Sequence, residues 1–203
     1  LPAAHGSSSG AAPLAGVRVV NLSTYIAGSY APTLLADLGA EVIKIESADG
    51  DPLRPVGLAF TAYNRGQRCM VLDLKQPEAR DIVTDLVREA DVVVENYRIG
   101  TAARLGLDYA TLAAINPRIV YLSATGYGPY GPRAGETAFD VLLQAEAGLM
   151  HAQGGANSEP VLLGPAVNDF TGAILGATGI MMALFERERS GAAAGAKLLE
   201  TDG

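Results

Sequence analysis

Two apolar, β-branched stretches, VRVVNL at Val17 to Leu22 and EVIKIE at Glu41 to Glu46, flank a segment with helical apolar spacing, Tyr30 to Leu38. This arrangement constrains the fold more than any other feature of the chain. A strand, a helix and a strand in so short a span form a βαβ unit, which requires parallel pairing and a right-handed crossover. Gly39 follows the helical segment where a left-handed residue is wanted to end it. The theme then repeats. Cys69 to Leu74 reads as a strand. Gln76 to Glu89 reads as an amphipathic helix with Pro77 in its first turn, and DVVVE at Asp91 to Glu95 is a further strand. Short helices are expected over Ala102 to Leu105 and Tyr109 to Ile115, with a strand over Ile119 to Ser123. The alternation predicts an α/β fold, a Rossmann-like doubly wound parallel sheet.

Beyond Thr125 the pattern changes. GYGPYGP is turn-rich, Ala138 to Met150 is helical in spacing, and Gly154 to Pro165 is a loop dense in Gly, Pro, Asn and Ser. A long apolar helix follows from Thr171 to about Arg189, and SGAAAGAKLLETDG opens another element. The apolar run from Ala173 to Phe185 is too short to span a bilayer and meets charges at once, so a buried helix is expected. Met181 and Met182 read as packing residues within it, and ERERS as its solvated end. Residues 1–12 are small, polar and glycine-rich, a tail expected to lack order. One domain is then expected over residues 13–203. No leader segment is recognised.

Composition narrows the function. The formal charge of −7 provides no field to draw in phosphate backbones, which argues against nucleic-acid binding. A polyanionic ligand needs a local basic cluster. The one cysteine, Cys69, precludes an internal disulfide, fits a cytoplasmic setting and reads as a buried strand residue. The two histidines, His5 and His151, are far apart in sequence, and no spacing typical of a metal site occurs. No membrane role is expected.

The chemistry-bearing motifs usual for this fold are missing. The first turn, NLSTYIAGSYAP, lacks GxGxxG, and neither a GxSxG elbow nor a P-loop occurs. Attention falls on Asp169 in GPAVNDFTGAILGATG. An aspartate ahead of an apolar helix reads as an N-cap, its carboxylate accepting backbone N–H bonds. The same helix mouth favours a carboxylate anion, and such an anion serves as a nucleophile when a reactive acyl group is held beside it. The two readings are compatible.

Several blocks, taken in order, resemble the class III CoA-transferases. They are PLAGVRVVNLSTYIAGSYAPTLLADLGAEVIKIE, GDPLR, AYNRGQRCMVLDLKQPEAR, DVVVENYRIGTAARLGLDYATLAAINPRIVYLSATGYGPYGP, AFDVLLQAEAGLM, and the stretch from Gly164 into the long helix. The resemblance runs from Leu14 to about Gly195. It implies that this is the N-terminal part of the family's large domain, with Asp169 on the family's catalytic aspartate. It implies coenzyme A and acyl-CoA as substrates, a carboxylic acid as acceptor, and no tightly bound cofactor or metal. The turn carrying Tyr25, Ala27 and Gly28 lies where the family lays backbone against pantetheine. Leu72 and Lys75 match contacts at the adenine nucleotide end, and Asn96, Tyr97 and Arg98 follow a strand end where ligands bind. Arg104 matches a phosphate contact and, with Lys75 and Arg98, supplies the local cationic cluster.

Two departures bear on the substrate. Ile26 stands where formyl-CoA transferase has Gln, and Phe139 where it has Tyr, which argues against oxalate or formate and for an acid that is less polar or differently held. The α-methylacyl-CoA racemase branch shares the fold but moves a proton with a histidine at the place occupied here by Phe139. That residue cannot carry a proton, which argues against racemisation. The other alternative is a non-catalytic CoA-binding subunit, in which Asp169 is only a helix cap. Family members are longer, with a small domain and a C-terminal return segment, and form interlocked dimers. The resemblance therefore implies a homodimer in full-length form, or a partner subunit that supplies the other half.

Overall fold

The computed structural model describes residues 12–154, 157–191 and 196–201. Its strands are β1 (Arg18–Asn21), β2 (Glu41–Glu46), β3 (Gln67–Val71), β4 (Val92–Glu95), β5 (Val120–Thr125) and β6 (Ala196–Thr201). They pair in the order β3-β2-β1-β4-β5-β6, every pairing parallel. The helices are α1 (Ala27–Asp37), α2 (Leu58–Asn64), α3 (Pro77–Arg88), α4 (Thr101–Leu105), α5 (Tyr109–Ile115), α6 (Asp140–Glu146), α7 (Leu149–Gln153) and α8 (Val167–Ser190). The order reverses between β1 and β4. In an open α/β sheet the crevice at such a switch, outside the strand C-termini, is where ligands bind.

Helices cover both faces of the sheet, so its central strands are apolar on both sides. All four residues of β4 are buried. Val92 and Val94 join Ala31 and Leu35 of α1 and Ala173, Ala177 and Ile180 of α8 in one cluster. Val93 turns the other way, toward Val83 and Val87 of α3 and Leu112 of α5. The period of two along the strand thus feeds two cores. Gly172, Ala173, Gly176 and Ala177 are the buried face of α8 nearest its start. Their small side chains let this long helix lie close against α1.

The doubly wound sheet is as expected, and Gly39 has the left-handed φ of 98° predicted for it. Several boundaries differ. α1 starts at Ala27, three residues before the expected Tyr30, so Ala27 and Gly28 are its first two residues. α2 lies in a stretch to which the sequence assigns nothing. The helix expected over Ala138 to Met150 is two, α6 and α7, because Gly148 takes a left-handed φ of 76° between them. The long helix starts at Val167, ahead of Thr171. The tail expected over residues 1–12 lies outside the described residues apart from Ala12.

Three burial expectations are corrected. Cys69 is exposed, because β3 is an edge strand whose last four residues are all exposed. On α8 Met181 packs on the core, but Met182 is 68% exposed, in a strip with Ile174, Leu175 and Phe185. The helix is therefore buried on one side only, although its length and composition alone would let it cross a membrane. Arg187, placed in the solvated end, is buried. Its guanidinium donates to Asp91 Oδ1 at 2.7 Å and to the Arg118 carbonyl at 3.2 Å, which fastens the end of α8 to the start of β4.

Candidate active site

Asp169 is the third residue of α8, and the N-cap is Ala166, whose side chain makes no cap hydrogen bond. The expectation that Asp169 is itself the cap is therefore corrected. The cap comes from another helix: Oδ1 of Asp140, the first residue of α6, accepts from the Asn168 amide at 2.7 Å and the Asp169 amide at 3.4 Å. With its backbone held in this way, the Asp169 carboxylate is left without a hydrogen-bond donor among the described residues. Burial, and then the neighbouring charge of Asp140, push its pKa up to about 6. Desolvation and a like charge both disfavour the anion.

Asp169 opens on a cleft of about 160 Å³ at the switch point. Of the residues singled out from the sequence, Tyr25, Ala27, Asn96, Tyr97 and Arg98 line this cleft together with Asp169. One wall is the segment after β1, the other the segment after β4. Asn96 joins them, its Oδ1 accepting from the Thr24 amide at 3.0 Å and its Nδ2 donating to the Thr24 carbonyl at 2.7 Å. Both ends of that amide are spent on holding the wall. Tyr97 is largely buried, and burial followed by the charge of Glu95 pushes its phenol up to about 12. It remains protonated at neutral pH. Arg98 is exposed and is the one cation among the described lining residues.

Gly28 lies behind the wall. A Cβ on it would come within 2.8 Å of Ser23 Oγ and 2.9 Å of Asn96 Cγ. Its small size serves the packing of α1 against its neighbours, a reason different from the one expected. The structure does not bring Leu72, Lys75 or Arg104 to this cleft. Leu72 packs on the core cluster of α3 and α5. Lys75 is exposed, its amide bound to Asp73 Oδ1 at 3.1 Å, and Arg104 is exposed on α4, donating to Thr101 Oγ1 at 2.9 Å.

Phe139 stands at the cleft, its ring edge-on to Tyr25 with centroids 6.2 Å apart. Both rings are about half exposed, and Phe139 has no group that can carry a proton. His151 does not line the cleft. Among the described residues no three His, Cys, Asp or Glu side chains gather to hold a metal ion.

Two features of the site carry little local signal in the sequence. The first is Asp140, next to Phe139 in the AFDVLLQ block. An aspartate opening one predicted helix gives no local sign that it caps another. The second is Lys44, in the middle of EVIKIE. Its side chain is fully buried against the equally buried Asp51, with Nζ 2.8 Å from Asp51 Oδ2. A charged residue inside a strand pattern was the available signal. Burial lowers its pKa, opposed by Asp51.

Comparison with known proteins identifies the family. The family model of CoA-transferase family III matches residues 14–199. The succinate–glutarate CoA-transferase of Agrobacterium fabrum is 40% identical over 194 residues, spanning 88% of this chain and 48% of its own. The acetyl-CoA:oxalate CoA-transferase of Acetobacter aceti is 40% identical over 188 residues, with the same two shares. Among solved structures, a CAIB/BAIF family protein from Brucella suis superposes with a TM-score of 0.89 at 39% identity, over 94% of this chain and 53% of that one. The chain thus spans about half the length of the curated relatives it matches. It belongs to CoA-transferase family III.

Proposed function

We propose that the protein moves coenzyme A from an acyl-CoA donor to a carboxylic acid acceptor, with Asp169 as the nucleophile. A carboxylate oxygen of Asp169 attacks the thioester carbonyl and CoA leaves as the thiolate, giving a mixed anhydride. The thiolate then attacks the aspartyl carbonyl of that anhydride. The donor acid departs as its carboxylate and an aspartyl-CoA thioester remains. The acceptor carboxylate attacks this thioester, forms a second anhydride and releases the thiolate. Attack of the thiolate on the acceptor's acyl carbon yields the new acyl-CoA and regenerates Asp169. The thioester's energy stays in covalent bonds throughout, and no proton is gained or lost overall.

The observation that carries this reading is the Asp169 carboxylate at the cleft, without a hydrogen-bond donor among the described residues and held by its backbone. A purely structural aspartate at a helix start has its oxygens occupied by amides. Relatives named for succinate, glutarate and oxalate support a small carboxylic acid as acceptor. The apolar Phe139 and Tyr25 edges favour one less polar than oxalate. As the chain spans about half of its relatives, it works with a further half. Either a longer polypeptide that dimerises or a partner subunit supplies it. A cytoplasmic setting fits a thiolate intermediate.

Trapping tests the reading. The protein is mixed with a panel of acyl-CoA thioesters, quenched with hydroxylamine, digested and analysed by mass spectrometry. Hydroxamate on the Asp169 peptide, absent in Asp169→Asn, is the expected result. Intact CoA binding with no hydroxamate would instead favour a binding subunit.

A further inference from the structure

The segment Ser23–Ser29 forms one wall of the cleft, and it does not hold its shape alone. Tyr25 within it has φ 59°, a left-handed conformation that is strained for a non-glycine residue and persists only where its surroundings impose it. Lys44, from the middle of β2, reaches both ends of the segment. Its Nζ donates to the Ser23 carbonyl at 3.0 Å and to Ser29 Oγ at 2.8 Å, and lies 2.8 Å from Asp51 Oδ2. Two of the ammonium's three N–H donors are spent on Ser23 and Ser29, and Asp51 stands beside it as the counter-charge. Lys44, Asp51, Ser23 and Ser29 are all buried to 1% exposure or less.

The surroundings fix the pair in turn. Asp51 Oδ1 accepts from the Leu53 amide at 2.8 Å, and the Asp51 amide donates to Glu46 Oε2 at 3.0 Å. Arg54 brackets Glu46, its Nη2 donating to Oε1 at 2.7 Å. Asn21 Oδ1 accepts from the Ser23 amide at 2.9 Å. A buried ion pair is a weak source of stability, since desolvation offsets most of its attraction, whereas its directional hydrogen bonds specify geometry. Neither Lys44 nor Asp51 lines the cleft, so the pair acts on the wall from behind.

We infer that Lys44, neutralised by Asp51, is a positioning residue that clamps Ser23 and Ser29 so that Tyr25 and Ala27 are presented to acyl-CoA beside Asp169. The inference rests on the transferase reading for its ligand, but the clamp itself is testable without it. Asp51→Asn keeps the acceptor for Leu53, so the double variant Lys44→Met/Asp51→Asn removes the clamp and leaves no lone buried charge. Ser29→Ala is a milder second variant, which takes away one arm and leaves the pair.

Two measurements decide. The first is amide hydrogen exchange of the peptide covering residues 23–29. Loss of hydrogen bonds of this kind is expected to speed it about tenfold in the double variant and a few-fold in Ser29→Ala, with β4 unchanged. The second is the acyl-CoA concentration that half-saturates hydroxamate trapping, expected to rise about tenfold in the double variant, with yield at saturation preserved. Thermal unfolding establishes that each variant is folded, and Ser29→Ala decides if the double variant is not. Unchanged exchange overturns the clamp. Faster exchange with unchanged half-saturation overturns its role in presenting the wall, because a merely structural pair would change exchange and the melting temperature but not half-saturation. If the wild type gives no hydroxamate, the transferase reading fails. The clamp is then still decided by exchange, and its role in CoA presentation by calorimetric titration with CoA.

Discussion

At the scale of single residues, the charge on Asp169 sets the expected pH dependence. The attacking species is the carboxylate, so trapping rates should rise with pH, reach half their limit near the group's pKa of about 6, and level off above it. The sign for stability is opposite. A carboxyl whose folded pKa is raised costs nothing below the ordinary aspartate value. The cost grows between that value and about 6, and is complete at higher pH. Asp169→Asn should therefore stabilise the protein by up to about 2–3 kcal/mol at neutral pH and by little at pH 4, as measured by urea unfolding at the two pH values. Asp140→Asn separates charge from cap. The amide oxygen still accepts from Asn168 and Asp169, while the like charge is gone. The midpoint of the trapping profile should move below 6, with Asp169 still modified. The sequence pointed to Asp169 because its helix context is local, but not to Asp140, since the cap runs between residues 28 and 29 positions apart.

At the scale of elements, the cleft depends on how closely α1 approaches the segments that end β1 and β4. Gly28 permits that approach, and a methyl there meets Ser23 and Asn96. Gly28→Ala should cost about 1–3 kcal/mol through overpacking, read from denaturant unfolding, and should weaken CoA binding as Asn96 is displaced from Thr24. The alternation of strands and helices was legible because each element buries a face with its own period. Val92, Val93 and Val94 announce a strand covered on both sides. The break between α6 and α7 was not, because it depends on the backbone of Gly148, and an isolated glycine inside a helical pattern is often tolerated. Nor was the exposure of β3, because a strand's own pattern does not reveal whether it lies at an edge.

At the scale of the whole molecule, the walls of the cleft come from ends of β1 and β4 that are neighbours in the sheet but distant in the chain. The bonds between Asn96 and Thr24 close a separation of 72 residues, and those between Asp140 and α8 join two further segments. Loops of that size close at an entropic cost that local contacts do not repay. The active-site region is therefore not a preformed pocket around which the rest condenses. It comes into being only when β1 and β4 pair. In kinetic terms, assembly of the site and completion of the sheet are one step. Ligand-binding competence regained on refolding should appear with the same rate constant as amide protection of β1 and β4, without a lag, and no partly folded state of this chain should bind CoA.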